Sequence, residues 1–147
     1  MTTIDTCGAA ILSTHCTNPE EYPWFKQIRT DEPRILLLQR GATAPTFPEC
    51  WAFPAGIREE GESLEQAVRR ETKEEVGVVF RPKMLFFSGG WNDRHLHYYT
   101  GYWKAPKALR PQINEVAGYG WFSFNDALGL TLAFRYREVI KKLAAMY

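Results

Sequence analysis

Residues 56–78 read GIREEGESLEQAVRRETKEEVGV, an acidic, glycine-containing loop that runs into a segment with helical periodicity. Glu71, Glu74 and Glu75 stand at positions i, i+3 and i+4, so a helix would carry their carboxylates on one face. Like charges at this spacing repel each other unless a cation neutralises them. Hard oxygen ligands without a Cys or His partner favour Mg²⁺ or Mn²⁺, and proteins bind Mg²⁺ through carboxylates together with substrate phosphates. The segment therefore predicts a magnesium or manganese site that handles phosphate groups.

A solvated helix face is the alternative interpretation of the same charges. Arg70 and Glu74 form an i,i+4 pair of the ordinary surface kind, worth about 0.3–0.5 kcal/mol. That interpretation leaves the like-charge i,i+4 pair of Glu71 and Glu75 unexplained, together with the glycines of the loop. We therefore favour the metal site.

Both ends of the helix are marked in the sequence. Ser63 is a good N-cap, Gln66 is its capping-box partner three residues later, and Gly77 supplies the left-handed position that ends the helix. An apolar stripe predicts the face that packs against a sheet, and its members are Leu64, Ala67, Val68 and Val76. The acids thus lie on a rigid element.

The spacing of the fixed residues resembles the complete signature of the Nudix hydrolases of MutT-like type. The matching positions are Gly56, Glu62, Arg70, Glu71, Glu74, Glu75 and Gly77. Thr72 stands where the family prefers a bulky aliphatic residue, and Ala55 replaces the first glycine of the family's aromatic-Pro-Gly-Gly lead-in. The resemblance implies an α/β fold, an α/β/α sandwich with a mixed, curved sheet between helices. It also implies hydrolysis of a nucleoside diphosphate linked to another group, with Mg²⁺ or Mn²⁺ as cofactor.

The same resemblance assigns roles to individual residues. Glu71, Glu74 and Glu75 would bind the metal, together with the backbone carbonyl of Ala55. One of these crowded carboxylates would accept the proton of the attacking water, and we predict Glu71 for this catalytic role, with Glu74 and Glu75 as the alternatives.

Two further roles follow from the family. Arg70 and Glu62 would form the pair that orients the helix and its catalytic carboxylate. Members of the family often recruit one more acidic ligand from a downstream loop, and Glu115 is the best-placed candidate. The alternative for Glu115 is a solvated loop acid.

Substrate-binding candidates lie outside the helix. Arg40 ends a buried strand and suits phosphate, because a guanidinium fork matches phosphate oxygens; its alternative is a surface pair with Glu49 or Glu59. Gly56, where the acidic loop begins, belongs to the same group. Aromatic rings that can stack on a base are Trp51, Trp91, Tyr99 and Trp103, although aromatic residues are more often part of a core.

His95 and His97 share one strand face with the spacing of metal ligands. With no third nitrogen or sulfur ligand evident in the sequence, we expect packing or substrate contacts there and no zinc site.

Composition and charge narrow the class of protein. The chain has 147 residues, 45% of them hydrophobic, and a net charge of +1, which predicts one domain over residues 1–147 and argues against duplex DNA as a partner. Cys7, Cys16 and Cys50 show no CxxC spacing, as expected in a reducing cytoplasm. There is no apolar run of about 18 residues and no basic-then-apolar leader, so we expect a cytoplasmic protein without membrane contact.

The remaining sequence predicts the layers of the fold. Strands are expected at residues 9–13, 34–39, 84–88, 95–104 and 118–122, and a closing helix at Ala133, Tyr136, Ile140 and Leu143. The long stretch between the first two strands carries an aromatic island at residues 22–25, interpreted as a lid, a homodimer contact, or a loop tucked onto the core.

The substrate is predicted by exclusion. The short downstream patterns that mark the ADP-ribose, coenzyme A and NADH subgroups of the family look absent. The nearest type is then a nucleoside triphosphate pyrophosphohydrolase that acts on NTPs or dNTPs, oxidised nucleotides included, and releases a monophosphate and pyrophosphate. Alternatives are dinucleoside polyphosphates, ADP-ribose, nucleotide sugars and RNA 5′ ends. A non-catalytic nucleotide sensor is an alternative of another class, which the four intact glutamates of the signature disfavour.

Overall fold

The computed structural model describes residues 3–14, 32–103 and 116–147. Its strands are β1 (Ile4–Ser13), β2 (Arg34–Arg40), β3 (Trp51–Ala52), β4 (Ala55–Ile57), β5 (Met84–Trp91), β6 (Arg94–Tyr102) and β7 (Val116–Phe122). The helices of these ranges are α1 (Leu64–Val76), α2 (Phe124–Leu128) and α3 (Tyr136–Ala144). The strands form one sheet in the order β3-β2-β1-β6-β5, while β4 pairs with β1 and β7 with β2. β1 and β6 run parallel, and the remaining pairs are antiparallel.

The sheet is covered on both faces, as the continuous apolar run of β2 predicts. Ile35 and Leu37 belong to a core formed with α2 and α3, and Leu36 and Leu38 belong to a second core formed with α1. Because successive side chains of a strand point to opposite faces, one strand serves both cores. The predicted α/β/α sandwich is confirmed.

Helix α1 begins and ends where the sequence predicts. The Ser63 side chain accepts a hydrogen bond from the Gln66 backbone, the Gln66 side chain completes the capping box, and Gly77 ends the helix at φ 73°. The departure from the family pattern, Thr72, is fully buried, and its hydroxyl donates to the Val68 carbonyl at 2.7 Å. The internal hydrogen bond explains how a polar side chain occupies an aliphatic position.

Two of the predicted elements differ most from the structure. Strand β1 begins at Ile4 rather than at residue 9, because Asp5 to Gly8 pair with β6 and lack the apolar alternation that signals a strand. The predicted closing helix is two helices. Ser123 caps α2, and between the helices the Trp51 backbone bonds residues 131 and 133, which holds that segment extended.

Some predictions concern residues outside the described ranges. They are the aromatic island at residues 22–25, Cys16, Lys104 and the possible metal ligand Glu115. The single-domain organisation, the homodimer and the cytoplasmic location stay predictions. In the described ranges, no helix has the length and apolar character needed to cross a membrane.

Candidate active site

The loop before α1 is fastened to the helix by Arg70. Its Nε donates to Glu62 Oε2 at 2.8 Å and its Nη2 to Glu62 Oε1 at 2.9 Å, while Nη2 also reaches the Ile57 carbonyl at 3.0 Å. The Glu59 backbone N–H donates to the same Glu62 carboxylate at 2.8 Å. These hydrogen bonds lower the pKa of Glu62 from 4.5 to about 2, and the Glu62 carboxylate in turn raises the pKa of Arg70. Two-point contact of this kind fixes geometry as well as charge.

Arg70 also stands beside the acids of the helix. Its Nη1 donates to Glu71 Oε1 at 2.8 Å and lies 3.3 Å from Glu74 Oε2. The guanidinium thus neutralises part of the repulsion between the glutamates of α1, which in the sequence indicated a bound metal ion. The exposed fractions separate the two acids, since the Glu74 side chain is 55% exposed and the Glu71 side chain 15%.

Glu71 lies directly on the backbone of β4. A Cβ added to Gly56 would collide with the Glu71 carboxylate, so this approach requires glycine. Ala55 and Glu75 border the same cavity as Gly56. Carboxylate oxygens of α1 and the backbone of β4 therefore meet beside this cavity.

The cavity has a volume of about 440 Å³, within the range of ligand-binding pockets. Its lining also includes Arg40, Phe53, Arg94, Tyr98, Phe134 and Tyr136. Arg40 donates to the Thr46 carbonyl at 3.0 Å and to the Thr46 hydroxyl at 3.2 Å, and its guanidinium lies 5.4 Å from the centroid of the Phe134 ring. The arrangement offers cationic and aromatic groups side by side.

The structure brings some predicted substrate residues to the cavity and leaves others elsewhere. Arg40 and Gly56 line it. Trp51 is buried and packs edge-on against Phe122 at 5.1 Å, and Tyr99 is buried in the core under α1. Trp91 packs on Phe134 with centroids 5.0 Å apart, one ring behind the cavity lining.

Several residues that line the cavity were not predicted from the sequence. Arg94 and Tyr98 share a face of β6, and the period of two along this strand could have identified them together. Phe134 has a positive φ of 45°, which a sequence pattern for an aromatic residue does not signal.

A second side-chain cluster includes both histidines and lies where β1 pairs with β6. Asp5 is the third ligand-type residue that the sequence did not reveal, because β1 pairs with β6 and places Asp5 opposite His95. One ligand atom from each of Asp5, His95 and His97 lies within 4.8 Å of the others. The strands are remote in the sequence, so local spacing could not have predicted this contact.

The residues of the acidic site fit the divalent cation that the family uses. Glu71 lies against Gly56, Glu75 borders the cavity beside Ala55, and Glu74 is exposed one turn along from Arg70. An oxygen-only donor set next to a cavity suits Mg²⁺ or Mn²⁺ better than softer metals.

Comparisons with known proteins agree with this geometry. The model of the NUDIX domain family matches residues 27–143. Over 132 residues the chain is 33% identical to a Chromobacterium violaceum protein named NAD-capped RNA hydrolase NudC, covering 82% of this chain and 47% of that protein. The chain thus spans less than half the length of that relative.

Two further similarities concern a shorter segment and the fold. A Methanocaldococcus jannaschii protein named ADP-ribose pyrophosphatase is 44% identical over 52 residues, or 35% of this chain and 30% of that protein. The NUDIX domain of Shewanella oneidensis NrtR, solved with ADP ribose, superimposes with a TM-score of 0.75 at 24% identity, covering 99% of this chain and 89% of that chain. At this identity the superposition supports the fold.

Proposed function

Because the chain belongs to the Nudix family, whose members hydrolyse pyrophosphate bonds, we propose that it cleaves a nucleoside diphosphate linked through its outer phosphate to a second ribosyl group. Compounds of this class include NAD and ADP-ribose. Cleavage of the phosphoanhydride would release two monophosphates.

The proposal rests on one cavity that is lined both by an acidic side chain of α1 and by arginine and aromatic side chains. Glu75 and Gly56 line the cavity together with Arg40, Arg94 and several aromatic rings. Guanidinium groups suit phosphate oxygens, and aromatic faces suit a nucleobase. A phosphoanhydride bound by the guanidiniums would lie next to the acids.

Different residues of the chain would bind the metal ion and accept the proton. Glu71, Glu74, Glu75 and the Ala55 carbonyl would hold Mg²⁺ or Mn²⁺, and Glu115 stays a further candidate ligand. Such an ion, when bound, neutralises charge on phosphoryl oxygens and lowers the pKa of water. Glu71, held on Gly56, would accept a proton from the attacking water, while Arg70 and Glu62 keep its helix in register with the loop.

The ribosyl-linked class is favoured by the names of two relatives. One is named for NAD-capped RNA and the other for ADP-ribose, and both NAD and ADP-ribose contain an adenosine diphosphate whose outer phosphate carries a second ribosyl group. The NADH-subgroup pattern looks absent from the sequence, so the choice rests on overall similarity rather than on that motif. The nucleoside triphosphate substrate predicted from the sequence stays the second candidate.

Product analysis separates the two candidates. We would incubate the protein and Mg²⁺ with NAD, NADH, ADP-ribose, diadenosine tetraphosphate, a nucleotide sugar, ATP, dGTP and oxidised dGTP, and identify every product. Glu75→Gln is the inactive variant. Glu65→Gln is its matched control, because Glu65 is an exposed glutamate on the same helix.

Two monophosphates from NAD or ADP-ribose, formed by the wild type and by Glu65→Gln only, would support the proposal. Monophosphate plus pyrophosphate from triphosphates would transfer the assignment to the second candidate. Tight nucleotide binding without turnover of any compound would favour a sensor and overturn the enzymatic proposal.

A further inference from the structure

The cluster of Asp5, His95 and His97 lies outside the residues that line the cavity. Asp5 is on β1 and the two histidines are on β6, in a parallel pairing that puts Asp5 opposite His95 and Cys7 opposite His97. Residues i and i+2 of a strand point to the same face. The two hydrogen-bonded strands therefore hold three ligand-type side chains on one face of the sheet.

Distances within the cluster are short. Asp5 Oδ1 lies 2.9 Å from His97 Nε2, and the centroids of the two imidazole rings are 4.3 Å apart. Ligand atoms about 2.0–2.1 Å from a tetrahedral ion lie roughly 3.3 Å from each other. The ligand atoms here all fall within 4.8 Å of one another, which is near the spacing that a bound ion requires.

Neighbouring groups orient these side chains. Arg58 donates to Asp5 Oδ2 through Nε at 3.1 Å and approaches it through Nη2 at 3.0 Å, which leaves Oδ1 on the side of the histidines. Ser88 Oγ lies 3.4 Å from His97 Nδ1 and 3.3 Å from His95 Nε2. Outer partners of this kind fix the tautomer and orientation of metal-binding imidazoles.

We propose that Asp5, His95 and His97 bind one zinc-class divalent ion, at a site separate from the carboxylates of α1. Two imidazoles and one carboxylate form the three-ligand set of open zinc sites, in which water takes the fourth position. His97 is buried and His95 is exposed, so the open position faces solvent. Arg58 also donates to the Glu62 carbonyl at 3.0 Å, so the bound ion would brace the loop that precedes α1.

Ligand type distinguishes this site from the acidic one. Imidazole nitrogens favour Zn²⁺, Co²⁺ and Ni²⁺, whereas carboxylates and carbonyls suit Mg²⁺. Excess Mg²⁺ therefore occupies the carboxylates and leaves the histidine site for the softer ion.

The test is a Co²⁺ titration of the whole chain in excess Mg²⁺, followed by visible absorption and repeated with Zn²⁺ by calorimetry. His95→Ala is the principal variant, because an exposed side chain can be removed without loss of the core. His15→Ala is the matched control, since His15 is the third of the three histidines in the chain. A thermal melt of each variant without metal verifies folding.

We expect one equivalent of Co²⁺ with the intense visible bands of a four-coordinate ion, unchanged in His15→Ala. In His95→Ala the affinity should fall about 10-fold or more, and Zn²⁺ should no longer raise Tm. Equal affinity in His95→Ala and wild type, or no binding by the wild type in Mg²⁺, would overturn the proposal. Either result leaves the hydrolytic assignment untouched, because no substrate is used.

Discussion

The cavity lining contains two groups of residues, here called walls, that originate in different ways. The acidic wall consists of Ala55, Gly56 and Glu75, with Glu71 packed on Gly56, and comes from one continuous stretch. The cationic-aromatic wall consists of Arg40, Phe53, Arg94, Tyr98, Phe134 and Tyr136, of which only Phe53 adjoins that stretch in the sequence. The first wall needs only β4 and the helix that follows it in the sequence, whereas the second requires correct pairing of strands that are distant in the sequence. The residues expected to perform the chemistry are thus close together in the sequence, whereas those expected to bind the substrate are far apart in it.

The largest expected effect comes from the acidic wall. Glu71→Gln keeps the shape of the side chain but removes its charge and basicity, so kcat should fall about 100-fold or more. Steady-state kinetics on the substrate identified by the product panel provide the measurement. Glu65→Gln, on the same helix, should retain full activity; full activity in Glu71→Gln as well would remove Glu71 from the chemistry.

Glycines of the acidic loop provide a second comparison. In Gly56→Ala the new Cβ meets the Glu71 carboxylate, so kcat should fall about 10-fold or more while the fold persists. Gly61 has a φ of 85° and open space around it, so Gly61→Ala should cost about 1 kcal/mol of stability and leave kcat unchanged. Kinetics and thermal melts on both variants measure the difference. If both variants lose activity equally, the contact between Gly56 and Glu71 is not the reason.

The cationic-aromatic wall should affect binding rather than turnover. Arg40→Ala removes a guanidinium from the cavity, and we expect KM to rise about 10-fold with kcat changed less than about 3-fold. Arg69→Ala, an exposed arginine on α1, is the control. An unchanged KM would mean that Arg40 serves only its hydrogen bonds to Thr46.

The smallest effect concerns the ion pair behind the acidic wall. The pKa of Glu62 is held at about 2, below its ordinary 4.5, so its ionised form stabilises the fold at pH values above 4.5. This contribution should decline as the pH falls from 4.5 towards 2. Urea unfolding of wild type and Glu62→Gln should therefore differ at pH 6 and converge towards pH 3. A difference that is constant with pH would assign the loss to packing instead of charge.

The sequence predicted those features that depend on local spacing. The caps of α1, its apolar stripe and the shared face of its acids follow from residues within a few positions of each other. The proximity of Arg70 and Glu62 followed from the resemblance to the family, and the structure adds that Arg70 also contacts Glu71. Aromatic residues were harder to assign, because an aromatic residue in the sequence can either stack on a ligand or pack in a core. Trp51 and Tyr99 were predicted to stack on a base, and both pack in the core.

Contacts between distant strands account for most of what the sequence did not reveal. Asp5 meets His97 because β1 and β6 run parallel, and no spacing within either strand encodes that choice. Phe47 and Phe134 both adopt positive φ and lie with ring centroids 4.8 Å apart, a strained pair maintained by its tertiary surroundings.

The central place of β1 in the sheet has a consequence for folding kinetics. Thr100 bonds the Ala10 carbonyl across 90 residues of chain, so the first strand of the fold gains its parallel neighbour only after a long loop closes. Contacts of such high contact order slow folding, because closure entropy is lost before the pairing is formed. During synthesis, β1 would leave the ribosome before β6, and its edge towards β6 would stay unpaired until β6 has also emerged. Removal of residues 4–13 would therefore divide the sheet at its middle and abolish folding. Loss of an edge strand would leave the remaining strands paired.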